Sequence, residues 1–174
     1  MGVARSQNGW PVILSDSGTR LRKWTVPADT GAFEVSLQAH RAGFVLAHYA
    51  LAHAELIETV AGRGDDFGWS PRKIAGSDEW SNHASGTAVD LNASAHPQGA
   101  HTFSEDQRDL VHDLLTHYRG AVRWGGDYRT TVDEMHFEIA VDSTTLLDTA
   151  RRLARTRRGR RLVEANPGLG KWVR

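Results

Sequence analysis

Apolar residues recur at two different spacings along the chain, and the spacing changes from segment to segment. Residues 43–60 repeat apolar side chains three and four positions apart, which predicts a long helix with one face toward the core. Ser104 and Gln107 have the spacing of a capping box and predict the start of a second helix. Ser143 is predicted to cap a third helix that ends near Arg155.

Four other segments alternate polar and apolar residues and predict short strands: Leu21–Val26, Thr87–Leu91, Ala121–Trp124 and His136–Val141. His136 and Glu138 are two positions apart and share one face of the last strand, and Phe137 lies on the face that packs on the core. Neither an internal repeat nor a linker divides the chain, so we expect a single domain.

Composition narrows the possible chemistry. The chain has 174 residues, 40% of them hydrophobic, which fits one domain or one domain with a tail. It has no apolar run near the ~20 residues that span a membrane, and its first residues lead into no signal-peptide core. We therefore expect synthesis in a cytoplasm, with any release depending on another factor. Because cysteine is absent, a metal would have to be held by histidine and carboxylate side chains.

Basic residues are concentrated near the C-terminal end. The formal net charge is zero, with 21 basic and 21 acidic residues, but seven of the eleven residues from Arg151 to Arg161 are arginine. Such a polycation could attract teichoic acids, anionic lipid or nucleic acid, although many charge runs are simply solvated helix faces. We accordingly divide the chain into a domain over residues 1–150 and a basic helix or tail over residues 151–174, with no specific nucleic-acid partner.

The candidate chemistry lies in two short clusters. In the first, His83 and Asp90 are seven positions apart, and Gly86 between them allows the close turn that would let a turn and a strand converge. A converging imidazole nitrogen and carboxylate oxygen suit zinc, which takes three protein ligands in a catalytic site and keeps one position for water. His136 in the second cluster is the candidate third ligand.

A hydrolytic zinc site also needs a base that accepts a proton from water. Asp133 and Glu134 are both candidates. A fully extended strand would place Glu134 on the face of His136, whereas a strand that begins only at His136 would let Asp133 approach from the preceding turn. Nothing in the residues alone decides between the two carboxylates.

Arg72 and several histidines have competing explanations. A guanidinium near a zinc site can bind a substrate carboxylate or stabilise an oxyanion, but Arg72 would look the same as a surface residue on an edge strand. His48 and His53 are five apart on the predicted helix, too far round it to share a metal easily. His96 and His101 lie in a loop beside proline and glycine, and we expect both to be solvated.

Three motifs, in this order, resemble those of the M15 family of zinc peptidases: Ser81-x-His83-x-x-Gly86-x-Ala88-x-Asp90-Leu91, Trp124-Gly125-Gly126-Asp127 and Asp133-x-x-His136-Phe137-Glu138. That family includes D-alanyl-D-alanine carboxypeptidases, dipeptidases and the L-alanyl-D-glutamate endopeptidases of bacteriophage endolysins. The similarity extends from about Phe67 to Ala140.

The resemblance implies that His83, Asp90 and His136 bind Zn²⁺. It also implies that the general base stands three residues before the last histidine, which selects Asp133 over Glu134. Zinc is thus the cofactor that the resemblance predicts.

The resemblance further implies that Arg72 polarises the scissile carbonyl or holds a carboxylate, and that Ser81 contacts substrate or supports a metal ligand. The implied fold is α+β, a small and mainly antiparallel sheet with helices packed on one side. The arginine-rich segment after Ala150 is not part of the family core.

These implications predict a monomeric zinc peptidase that cuts the stem peptide of bacterial peptidoglycan, as phage endolysins of the L-alanyl-D-glutamate endopeptidase type do. A lysis enzyme of that kind would reach the cell wall after a partner permeabilises the membrane. The alternative enzyme is a D-alanyl-D-alanine carboxypeptidase. The alternative from another class is a non-catalytic cell-wall-binding module in which zinc is structural.

Overall fold

The computed structural model describes residues 2–15, 19–60 and 64–168. The elements within these ranges follow in this order: β1 Leu21–Val26, β2 Phe33–Gln38, α1 Arg41–Leu56, β3 Ala88–Asp90, α2 Glu105–Thr116, β4 Val122–Trp124, β5 His136–Ile139, α3 Thr145–Ala154 and α4 Arg157–Ala165. Short 3-10 helices lie at Asn82–Ser85 and Gly125–Asp127. No helix in the described part of the chain is both long enough and apolar enough to cross a membrane.

The strands form two small antiparallel sheets. β1 pairs with β2 along their full lengths, and the second sheet has the order β3-β5-β4 with both pairings antiparallel. Together with the four α-helices, these sheets confirm the predicted α+β class. The strands are divided between two sheets, whereas the sequence predicted one.

Helix α1 supplies much of the core against which both sheets pack. It is buried from Ala42 to Ala54, and the Tyr49 ring lies 4.5 Å from the Phe137 ring, centroid to centroid. Phe137 lies on the core face of β5, as predicted, so its neighbours His136 and Glu138 lie on the opposite face. The helix therefore fixes the strand that carries one of the candidate metal ligands.

Helix α2 begins as the sequence predicts. The Ser104 hydroxyl accepts a hydrogen bond from the Gln107 backbone, and the Gln107 side chain accepts one from the Ser104 backbone, which is the reciprocal capping box. This cap fixes the point at which the loop after β3 ends.

The C-terminal helices differ from the prediction in two respects. The N-cap residue of α3 is Thr144 and not Ser143, and Asp142 Oδ1 accepts hydrogen bonds from the backbone N–H groups of Thr144 and Thr145 at 2.8 and 2.9 Å. Helix α3 ends near Arg155, as predicted, but Thr156 then caps a separate helix, α4, that was not predicted.

Helix α4 packs against the rest of the chain through apolar and ionic contacts. The Leu162 side chain is fully buried in the same core cluster as α1, and Arg158 and Arg161 form ion pairs with Glu55 on α1. Two of the clustered arginines are thus committed to contacts within the chain.

Candidate metal centre

Strand register and one glycine in the left-handed backbone conformation bring the three candidate ligands together. Asp90 lies directly opposite His136 in the antiparallel pairing of β3 with β5. His83 lies on the 3-10 turn just before β3, and Gly86 ends that turn with φ of 67°. A Cβ atom at Gly86 would also lie 2.7 Å from the backbone nitrogen of Gln38. Glycine is needed there for both reasons.

The three predicted ligand atoms form a small triangle. Asp90 Oδ1 lies 3.2 Å from His83 Nε2 and 2.8 Å from His136 Nδ1, and the two nitrogens are 3.1 Å apart. A tetrahedral zinc with bonds of 2.0–2.1 Å places its ligand atoms about 3.3 Å from one another. The residues present therefore fit a zinc ion in number, type and spacing, and all three are buried.

Hydrogen bonds on the far side of each imidazole fix which nitrogen faces the centre. His83 Nδ1 lies 2.6 Å from the carbonyl oxygen of Gly68, and His136 Nε2 lies 3.1 Å from a carboxylate oxygen of Glu138. Both of those oxygens can accept a proton-bearing ring nitrogen, so each imidazole can keep its proton on the far side when it binds a metal. His83 Nε2 and His136 Nδ1 are then the nitrogens that would face a cation beside Asp90 Oδ1.

The electrostatics of the centre favour positive charge. Burial by itself would lower the pKa of His136, but hydrogen bonds to Asp90 and Glu138 raise it to about 10. Burial would raise the pKa of Asp90, but the charges and hydrogen bonds of the two histidines hold it well below its usual range. Arg123 and Asn82 donate to Glu138 and keep its carboxylate in place.

Asp133 and Glu134, which the residues alone left open as bases, lie in different surroundings. Strand β5 begins only at His136, and the Asp133 side chain lines the cleft beside His83 and His136. Burial raises the pKa of its carboxyl. Glu134 is fully buried and accepts three hydrogen bonds from the backbone and side chain of residues 102–103 at 2.5–2.8 Å. The geometry thus suits Asp133 to the role of base and Glu134 to that of an anchor.

The centre opens into a cleft of about 300 Å³ that Arg72 and Ser81 also line. Arg72 is exposed, and its side chain makes no hydrogen bond or ion pair within the described residues. Ser81 is buried, and its hydroxyl accepts a hydrogen bond from the His83 backbone at 3.3 Å. Ser81 therefore caps the turn that carries a candidate metal ligand.

Several polar residues of the cleft carry no signal in the sequence. Gln7, Gln98, Tyr128 and Thr130 all line it, but they lie in irregular segments with no spacing that connects them to the two clusters. Only the folded chain brings them together.

The two loop histidines do not share the predicted solvent exposure. His101 is exposed, with 66% of its side chain accessible. His96 is buried, so the prediction for it is wrong: its Nε2 lies 2.9 and 3.0 Å from the two carboxylate oxygens of Glu58, and its Nδ1 lies 2.7 Å from the Thr102 hydroxyl. Tertiary contacts with the segment that follows α1 and with the end of the loop outweigh the polar composition of the loop.

Comparison with protein-family models matches residues 75–139 to the M15 peptidase family model described as D-alanyl-D-alanine carboxypeptidase. The matched range contains the three candidate ligands and Asp133, and it leaves out Arg72. No curated protein and no solved structure matches the chain. The segment that carries the candidate metal centre, residues 75–139, is therefore similar to the M15 family of peptidases.

Proposed function

We propose that the protein is a zinc-dependent peptidase that cuts the stem peptide of bacterial peptidoglycan, of the L-alanyl-D-glutamate endopeptidase type found in phage endolysins. The observation that carries the proposal is the triangle of His83 Nε2, Asp90 Oδ1 and His136 Nδ1, with distances of 2.8–3.2 Å, inside a segment matched to a peptidase family. A buried carboxyl, Asp133, borders the same cleft.

His83, Asp90 and His136 would hold the ion. Bound there, zinc would lower the pKa of water and polarise the scissile carbonyl. Glu138 and the Gly68 carbonyl hold the two imidazoles in the orientation that this coordination needs.

Asp133 acts as the general base and then as the general acid. Its carboxylate accepts a proton from the attacking water, and the carboxyl so formed returns that proton to the amine that leaves when the peptide bond breaks. Burial, which raises the pKa of Asp133, makes it a stronger proton acceptor than an exposed aspartate. The products are a new carboxylate and a new amine.

Arg72 supplies positive charge at the cleft. Its guanidinium is free of partners in the described residues, so it can donate paired hydrogen bonds to a stem-peptide carboxylate or to the oxyanion. Ser81 also lines the cleft: its backbone N–H donates to the Arg72 carbonyl at 3.2 Å, and its hydroxyl accepts from the His83 backbone.

A second proposed partner is an anionic wall polymer bound by the C-terminal arginines. Arg151, Arg155, Arg157 and Arg160 are exposed, unlike the two arginines paired with Glu55. Binding to wall sacculi should weaken between low and physiological salt, and removal of teichoic acid should abolish that salt dependence. Wall binding that does not change with salt concentration would exclude electrostatic attachment through these arginines.

The test of function is digestion of purified cell walls with zinc-loaded protein. New amino groups should appear, and mass spectrometry should find a cut between L-alanine and D-glutamate. Release of terminal D-alanine alone would instead identify a carboxypeptidase, the activity in the description of the matched family. No zinc-dependent release from any wall type, together with normal wall binding, would identify a non-catalytic module.

A further inference from the structure

The loop of residues 92–103, between β3 and α2, lies along the segment that contains the proposed base. The backbone N–H of Gly99 donates to the Val132 carbonyl at 2.7 Å. The side-chain amide of Gln98 donates to Asp133 Oδ2 at 3.0 Å. Backbone and side chain therefore bind two consecutive residues of the 132–134 segment.

The third residue of that segment anchors the end of the loop. Glu134 accepts hydrogen bonds from the Thr102 backbone, the Thr102 hydroxyl and the Phe103 backbone. Nearer the start of the loop, His96 is buried against Glu58 of the segment that follows α1. Gln98 thus lies between two fixed points, which explains how an exposed residue can hold a defined position.

The two carboxylate oxygens of Asp133 differ in their hydrogen bonding. Oδ2 accepts from Gln98, whereas Oδ1 is buried and has no hydrogen-bond partner within the described residues. A carboxylate held by one oxygen cannot rotate freely, and its other oxygen remains available to accept a proton.

We propose that Gln98 is a positioning residue that binds Asp133 Oδ2 and thereby holds Oδ1 ready to accept the proton of the attacking water. This inference rests on the proposed function of Asp133 as the base. Productive geometry of a catalytic group requires such supporting contacts. The proposal also gives Glu134 a role, because Glu134 fixes the loop that carries Gln98.

The test is the Gln98→Met variant, which keeps the length of the side chain but removes the donor. On a soluble stem peptide that the parent cleaves, kcat should fall about tenfold, part of the ~100- to 10,000-fold that a general base supplies. KM should stay within about twofold, and zinc content and melting temperature should not change. An unchanged kcat in an active parent would overturn the proposal.

The Thr102→Val variant separates positioning from loop stability. It removes one of the three donors to the buried Glu134 carboxylate, so it should lower the melting temperature. The proposal predicts that Gln98→Met lowers kcat without lowering the melting temperature. If both variants lowered the melting temperature and kcat together and to the same extent, Gln98 would have only a structural role and the proposal would fail.

A spectroscopic readout tests the contact without turnover. The side-chain NH₂ resonances of Gln98 should shift toward those of a free amide in the Asp133→Ala variant. Identical resonances in both proteins would show that the contact is absent in solution. A parent that cleaves no substrate would refute the proposed function, while these resonances would still decide whether Gln98 binds Asp133.

Discussion

Asp90 and His136 lie directly opposite each other in the pairing of β3 with β5, and their facing atoms, Oδ1 and Nδ1, are 2.8 Å apart. Strand register therefore sets the relative position of two of the three candidate ligands. Backbone hydrogen bonds hold that register, so the site does not depend on flexible side chains to bring the ligands together. Sites built on regular elements in this way are more rigid than sites on loops.

Asp133 and Glu134 should respond to substitution in opposite ways. Asp133→Asn should lower kcat by about 100- to 10,000-fold because the base is lost, with zinc content and melting temperature retained. Glu134→Gln should lower kcat by no more than about tenfold, the loss expected for Gln98→Met, but should destabilise the fold by about 1–3 kcal/mol, since a buried acceptor loses strong hydrogen bonds. Kinetics and thermal unfolding of both variants measure this contrast. Loss of turnover only in Glu134→Gln would reverse the assignment.

Glu138 should govern zinc affinity without touching the ion. Its carboxylate accepts from His136 Nε2 and fixes the ring, so Glu138→Gln should weaken zinc binding by about 10- to 100-fold. Competition with a chelator measures the affinity. Glu34→Gln is the matched control, because Glu34 is an exposed carboxylate that pairs with Lys23. Equal affinities in the two variants would show that Glu138 does not orient the ligand.

Stability should fall in acid partly through Glu58. Burial would raise the pKa of Glu58, but hydrogen bonds from His53, His96 and Asn92 outweigh it and lower the pKa from 4.5 to about 2. A carboxyl with a depressed folded-state pKa stabilises the fold above its unfolded value, and this contribution disappears as pH falls through the folded value.

The measurement for Glu58 is chemical unfolding of the parent and of Glu58→Gln from pH 6 to about pH 2. The difference in free energy of unfolding between them should be constant above pH ~4.5 and should shrink below it. A difference that stays constant down to pH ~2 would show that the Glu58 pKa is not depressed.

Local signals in the sequence predict much of the fold. The bounds of β1 and the capping box of Ser104 with Gln107 depend on residues close in the chain, and both are confirmed. β2 alternates buried and exposed residues more regularly than β1, yet it is absent from the predicted strands. The predicted end of the third helix near Arg155 is confirmed, but the start of a separate helix, α4, just after Thr156 was not predicted.

The sequence likewise predicts some contacts of the candidate site and not others. The convergence of His83 with Asp90 could be predicted because Gly86 marks the turn between them. The contact of Gln98 with Asp133 joins residues 35 positions apart, and the burial of His96 depends on Glu58, 38 positions away. Contacts at that separation follow from tertiary packing, and no local spacing indicates them.

The metal content of the purified chain tests the central claim most directly. Elemental analysis of the parent beside His83→Ala should find about one zinc per parent chain and less than a tenth of that in the variant, because three protein ligands are needed to hold the ion. Circular dichroism should confirm that both chains are folded. Equal zinc in the two proteins, or a folded parent that binds none when zinc is supplied, would contradict the account.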